Sequence, residues 1–256
     1  MLAGDAKAIP KAHNGLAEAL RTLSLVRRSA VKAKTQTIKQ IKALLVSAPQ
    51  AIRDEVYKSD VAKWVAACAV LSQGTVSVAL ASLQTALRLL AKRWTALNDE
   101  LRELDGQLAR LSKTAAPRLL SRFGVGPQTA ATLLITAGDN PTRLHSEAAL
   151  AALCGTSPLQ ASSGKVHRHR LNRGGDRQAN NALWTIAMVR MRSDARTRQY
   201  VARRTSEGLS KKVIHRCLKR PSFVSFTHLS WPIWMALYLL LDIGASTPAA
   251  RPSSDR

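Results

Sequence analysis

Acidic residues are scarce in this chain. Its 256 residues include 16 Asp and Glu against 39 Lys and Arg, so the formal net charge at pH 7 is +23. A nuclease-type site for two metal ions needs Asp and Glu side chains gathered from several strands. The sequence shows no period-two alternation typical of strands, and its acids fall mainly on predicted helix surfaces: Asp54, Glu55, Asp99, Glu100, Glu103 and Asp105. Walker A, HExxH and CxxC motifs are also absent. We therefore expect no metal and no cofactor in this chain.

Cysteine is rarer still. Cys68, Cys154 and Cys217 are odd in number and far apart, which indicates neither a disulfide framework nor a zinc site and fits a reducing cytosol.

Residues 1–8 are too short for a secretory signal. The apolar stretch 221–244 is interrupted by polar residues, and its longest run, 231–241, is too short to span a bilayer. We expect no membrane span, and the composition of 245–256 predicts a disordered tail.

What the chain has in abundance is positive charge. A net charge of +23 favours binding to a polyanion, because Lys and Arg contacts to phosphates release condensed counterions. An anionic membrane surface is the competing partner.

Two long amphipathic helices are predicted. The first covers 16–46, and its polar side carries a row of basic residues: Arg21, Arg27, Arg28, Lys32, Lys34, Lys39 and Lys42. That side is either a solvated face or a nucleic-acid surface, and we favour the second. A heptad of Leu and Trp runs from Leu80 to Leu111 and predicts a coiled coil. The heptad pairs either with 16–46 as a hairpin within the chain or with a second copy in a homo-oligomer.

The segment 119–220 begins with a Gly-Val-Gly-Pro turn between two helical patterns. Gly124 and Gly126 permit positive φ, and Pro127 suits the first turn of a helix. This pattern is typical of a helix-hairpin-helix, whose exposed amides suit a phosphate oxygen. The alternative is a tight turn between helices that binds nothing.

A serine-containing loop follows. Ser162 and Ser163 precede Gly164, so the backbone can turn and leave a hydroxyl exposed. Serine is a weak nucleophile unless a base or nearby charge activates it, and basic residues beside it would stabilise charge on a phosphate. Such a tripeptide is otherwise an ordinary polar turn.

The basic run after this loop comprises Lys165, His167, Arg168, His169, Arg170 and Arg173. Gly174 and Gly175 then break the chain, and Asp176 is a plausible helix N-cap. We expect helices near 117–122, 127–137, 146–153, 177–192 and 210–219.

Three blocks carry a resemblance: RFGVGPQTAATLLITAGD, ALAALCGTSPLQASSGKVHRHRLNRGGDRQANNALW and TRQYVARRTSEGLSKKVIHRCLKR. In this order they resemble insertion-sequence 110 (116/110/902 group) family transposases, and the segment from 15 to 49 is similar to the family's middle region. The resemblance implies DNA recombination in the bacterial cytoplasm, at the nucleoid, by an oligomer guided by a structured RNA. It assigns the nucleophile to Ser163, with Ser162 as second choice. It also implies DNA contacts by these residues: Gly124, Val125, Gly126, Lys165, Arg168, Arg170, Arg173 and Arg177.

The resemblance also defines an expected organisation. The family's RNase H-like domain, with four acidic ligands for Mg²⁺, would precede residue 1, and the pattern stops after Arg220. We therefore expect a truncated transposase with an all-α fold: a linker over 1–15, a helical coiled-coil region over 16–113, a serine-bearing transposase domain over 114–220, and a divergent segment over 221–256. The alternative is a non-catalytic nucleic-acid-binding protein.

Overall fold

The computed structural model describes residues 10–71, 77–140, 144, 147–157, 159–160, 169–170 and 172–219. Within these ranges the chain forms ten helices and one pair of two-residue strands. The all-α fold expected from the sequence is confirmed. The chain divides into two compact units, one of Met1–Arg21 with Leu108–Arg256 and the other of Thr22–Gln107.

The unit Thr22–Gln107 is built on two long helices. Helix α1 is Leu16–Val46, α2 is Gln50–Val56, α3 is Val61–Val70 and α4 is Val78–Ala115. The predicted helices at 16–46 and 80–111 are thus present, and Pro49 is the N-cap of α2. All four helices contribute buried side chains to one core cluster: Ile41, Leu45, Ala48, Ile52, Val56, Val65, Cys68, Leu71, Leu87 and Ala91.

Polar contacts show that α1 and α4 run antiparallel within this unit. Arg27 Nε donates to Asp105 Oδ1 at 2.5 Å, and Lys34 Nζ donates to Asn98 Oδ1 at 2.6 Å. The Lys34 ammonium also lies 4.3 Å from the centre of the Trp94 ring. Because a step of seven residues forward along α1 matches a step of seven backward along α4, the heptad seam of this unit packs within the chain. Two cations of the predicted nucleic-acid surface, Arg27 and Lys34, are therefore bonded to side chains of α4.

The remaining helices belong to the other unit. Helix α5 is Pro117–Leu120, α6 is Pro127–Ala137, α7 is Glu147–Leu153, α8 is Arg177–Ser193, α9 is Ala195–Ser206 and α10 is Lys211–Lys219. Five of these were expected, but α9 was not. Its buried side chain is a threonine, Thr197, so no apolar stripe marks it in the sequence. Asp194 caps it by accepting the Thr197 amide at 2.8 Å.

A short antiparallel strand pair also lies in this unit and was not expected. Strand β1 is Leu159–Gln160 and β2 is His169–Arg170, with Leu159 opposite Arg170. The core beside it is formed by α5 to α8, and its buried members include Leu119, Leu133 and Ile186.

Residues 10–15, expected as a linker, contact the C-terminal end of α6. Lys11 Nζ donates to the Ile135 carbonyl at 2.5 Å. Asp139, just after α6, caps α1 from a distance of more than a hundred residues in sequence: its carboxylate accepts the amides of Ala17 at 2.7 Å and Glu18 at 3.2 Å. The start of α1 is thereby attached to the end of α6.

Candidate nucleic-acid interface

The chain that enters α8 lies directly on the turn that ends α7. Gly155, in that turn, has φ of +64°, and a Cβ placed on Gly175 would lie 2.1 Å from the Gly155 amide nitrogen. Real side chains do not tolerate such a distance, so both backbones meet only because neither carries a side chain here. The Asp176 amide donates to the Leu153 carbonyl at 2.7 Å across the same contact.

Asp176 joins α8 to α6. One carboxylate oxygen accepts the amides of Gln178 at 2.7 Å and Ala179 at 3.2 Å, and the other accepts the Thr136 hydroxyl at 3.0 Å. The first pair satisfies backbone donors that a helix start leaves open. The N-cap predicted from the sequence is confirmed, and its bond to α6 is additional.

Asn180 connects the same turn to α10. Its Nδ2 donates to the carbonyls of Cys154 and Gly155, both at 3.0 Å, and its Oδ1 accepts from Lys219 Nζ at 2.8 Å. Burial, and then the nearby Arg216, lower the pKa of Lys219. The sequence contained no signal for Asn180 or Lys219, because a single polar residue in a helix does not reveal partners 25 to 39 residues away.

The candidate nucleophiles Ser162 and Ser163, together with Lys165 and Arg168, lie outside the described residues. The segments on either side of them are described. Strands β1 and β2 pair, and the chain after β2 is held on the α7 turn by the Gly155–Gly175 contact. Three cations C-terminal to the serine segment are exposed: Arg170 on β2, Arg173 after it, and Arg177 at the start of α8. The described flanks of the serine segment therefore present positive charge on a fixed support.

The predicted hairpin forms the turn between α5 and α6. Gly124 adopts φ of +83°, as expected, but Gly126 has φ of −99° and does not need the freedom of glycine. Val125 is buried. The Gly126 amide donates to Thr129 Oγ1 at 3.0 Å, so this proposed phosphate donor already has a partner.

The hairpin packs against α8. A Cβ on Gly124 would lie 3.1 Å from Arg190 Cγ and 3.3 Å from the Ile186 carbonyl oxygen. Arg122, just before the hairpin, and Arg190, on α8, have buried Nε atoms without a hydrogen-bond partner in the structure. Sequence analysis did not single out Arg122.

Asp194 is the single acid between Arg177 and Ser206. Burial raises the pKa of Asp194. The hydrogen bonds from Thr197 and the charges of Arg190 and Arg196 lower it by more, so this pKa lies below its ordinary value. The same stretch contains seven arginines: Arg177, Arg190, Arg192, Arg196, Arg198, Arg203 and Arg204. The last two pair with Glu207. This part of the unit therefore carries a net positive surface.

Among the described residues, no three His, Cys, Asp or Glu side chains come together as a metal ion would require. The family resemblance assigns Mg²⁺ to an RNase H-like domain and not to these residues. In the same ranges, none of the helices is both long and apolar enough to cross a membrane.

Comparisons with known proteins match the same region of the chain. Residues 116–202, which include the hairpin, β1, β2 and α8, match the family model described as "Transposase IS116/IS110/IS902 family". The chain is also 35% identical over 141 residues to the "Insertion element IS110 uncharacterized 43.6 kDa protein" of Streptomyces coelicolor (strain ATCC BAA-471 / A3(2) / M145). That alignment covers 53% of this chain and 32% of the relative, so the chain spans about a third of the length of the relative that it matches.

These findings mark residues 116–202 as the helical region of the chain that is similar to transposases. The resemblance inferred from the sequence to IS116/IS110/IS902 transposases is confirmed for these residues.

Proposed function

We propose that this chain binds the DNA of an insertion element and carries the serine nucleophile of its transposition. The observation that supports this most directly is the pairing of β1 with β2 and the packing of Gly175 on Gly155. Together they hold both described flanks of the serine segment next to the exposed Arg170, Arg173 and Arg177. A fixed cationic support is what an attack on a phosphodiester needs, since charge develops on the phosphate oxygens.

The proposed step conserves the number of phosphodiester bonds. The Oγ of Ser163 attacks a DNA phosphorus atom, an Oγ–P bond forms, and one P–O bond of the strand breaks. The leaving strand end departs as a hydroxyl and takes the proton that the serine loses. The hydroxyl of a second strand then attacks the same phosphorus, the Oγ–P bond breaks, and the serine takes up the proton that this hydroxyl loses. Ser162 is the second candidate for the same role.

The family resemblance assigns the metal-binding carboxylates to an RNase H-like domain. We therefore expect strand exchange to require that domain, either fused to this chain or added as a separate polypeptide. A structured guide RNA and assembly into a homo-oligomer are further parts of the proposal. Chromatography of the purified chain alone, with DNA and with element-encoded RNA, tests both. Such a DNA-binding protein would be found on the nucleoid.

The experiment supplies an RNase H-like domain, Mg²⁺, guide RNA and element-end DNA, and measures protein–DNA adducts on denaturing gels. Ser163→Ala should abolish the adduct while Ser162→Ala and the control Ser121→Ala retain it, with DNA affinity unchanged in all three. Loss of the adduct with Ser162→Ala instead would transfer the role to that residue. An adduct that survives both substitutions would refute the serine mechanism and favour a non-catalytic nucleic-acid-binding protein.

A further inference from the structure

Helix α8 has an outer face unlike that of an ordinary surface helix. Its inner face is buried through Ala179, Ala182, Ile186 and Ala187. Trp184 and Met188, one turn apart, stay 45% and 41% exposed. The helix therefore leaves a large aromatic side chain in water, although the core beneath it is already filled by smaller residues.

The ends of this face are cationic. With 100° between successive residues, Arg177, Asn181, Trp184, Met188 and Arg192 project from one side of α8. Both arginines are exposed, and neither forms an ion pair with any described residue. They lie about 10 Å and about 12 Å along the helix axis from Trp184. No acidic residue occurs within α8.

Trp184 is held in place from one side. The ring of His215 on α10 lies 5.7 Å from the Trp184 ring, centre to centre, at an interplanar angle of 50°. A supported ring with an open face suits stacking by a flat ligand, because little side-chain freedom is lost when the ligand binds.

We propose that the outer face of α8 binds unpaired nucleotides of a DNA or RNA strand. A base stacks on Trp184 and Met188, and the phosphates on either side contact Arg177 and Arg192. Charge complementarity supports this occupant, because aromatic rings between cations are typical of surfaces that bind single strands. The proposal extends the proposed DNA binding: the exposed Arg170 and Arg173, before α8 in the chain, would hold phosphates while α8 holds an exposed base.

Fluorescence anisotropy tests the proposal with labelled dT12, U12 and a 12-base-pair duplex, at several salt concentrations. Trp184→Ala should weaken binding of at least one single strand by roughly ten-fold or more, leave the duplex within about two-fold, and leave the salt dependence unchanged. The ratio of dT12 to U12 affinity identifies DNA or RNA as the preferred strand. Trp184→Phe should restore most of the loss, whereas Arg177→Ala and Arg192→Ala should each reduce the salt slope.

Leu89→Ala, at an exposed apolar side chain on α4, is the matched control and should change nothing. Circular dichroism melting verifies that each variant folds. Single-strand binding that is insensitive to Trp184 while duplex binding persists would overturn this inference and leave the proposed function intact. Binding of neither strand nor duplex would overturn both. If Trp184→Ala instead reduces the mass of the protein in solution without affecting strand binding, the face joins two copies of the chain and the inference is wrong.

Discussion

Gly175 packs its backbone against that of Gly155: a methyl group on Gly175 would lie 2.1 Å from the Gly155 nitrogen and 2.4 Å from its Cα. Backbone atoms cannot move aside cheaply. We expect Gly175→Ala to lower the melting temperature markedly and to abolish any function that depends on the serine segment. Gly106→Ala is the control: a Cβ there meets nothing within 4 Å, and alanine should stabilise helix α4 by about 0.5–1 kcal/mol. Equal melting of both variants would contradict the contact.

Asp176 should be a significant stabilising residue, since it caps α8 and accepts the Thr136 hydroxyl. We expect Asp176→Ala to cost about 1–2 kcal/mol in the free energy of unfolding, measured in urea. Thr136→Val removes the bond from α6 to Asp176, together with the bond from the Thr136 hydroxyl to the Thr132 carbonyl, and should cost less because the cap of α8 remains. If Thr136→Val is as costly as Asp176→Ala, the cap contributes nothing and the interpretation fails.

Leu87 and Leu89 are two residues apart on α4 but differ completely in exposure, at 0% and 60%. We expect Leu87→Ala to cost about 2–5 kcal/mol, because it opens a cavity in the core of the unit Thr22–Gln107. Leu89→Ala should change the free energy of unfolding by less than about 0.5 kcal/mol. Sedimentation of both variants also tests whether the heptad of α4 joins two copies of the chain. A lower mass of the particle in solution with Leu87→Ala, but not with Leu89→Ala, would indicate such pairing.

His215 should make stability depend on pH. Burial, followed by the charge of Lys219, lowers its pKa below the ordinary value of 6.5, although a hydrogen bond to the Trp184 backbone acts in the opposite direction. As pH falls, the unfolded chain takes up the proton first. The contribution of neutral His215 is therefore fully present above about pH 6.5 and is lost as pH falls through the folded-state pKa.

Urea unfolding at several pH values between 7.5 and about 5 measures this effect. His215→Gln should flatten the profile in that range. His13→Gln, at an exposed residue paired with Glu18, is the control. A profile that His215→Gln leaves unchanged would show that another group is responsible.

DNA binding should be dominated by electrostatics. If about six phosphates are neutralised, the logarithm of the binding constant should fall with the logarithm of salt at a slope of about −5, so a four-fold rise in salt costs about three decades of affinity. Arg170→Ala with Arg173→Ala should weaken binding to all sequences alike and reduce the slope by about one unit per lost contact. Arg27→Ala, at a cation paired with Asp105, is the control. A slope near zero would refute the phosphate interface.

Much of the fold was predictable because its signals are local. Apolar residues at helical spacing predicted α1 and α4 within a few residues, and an Asp after two glycines predicted the cap of α8. The charge of +23 follows from composition alone. The serine assignment was also made from sequence and resemblance, and Ser162 and Ser163 lie outside the described residues, so it stays a prediction.

What only the tertiary structure decided are the contacts between distant residues. Nothing in the sequence predicted that Gly155 and Gly175 lie in contact. Nothing in it predicted that Asn180 bonds to Cys154 and Lys219. From the sequence, the heptad helix could pair either with helix 16–46 or with a second copy of the chain. The bond between Arg27 and Asp105 shows that it packs against helix 16–46 of the same chain. Periodicity records which side of a helix is apolar, because neighbours along the chain determine it. Which surface covers that side depends on packing among elements far apart in sequence, where shape and hydrogen-bond geometry decide between partners of similar composition.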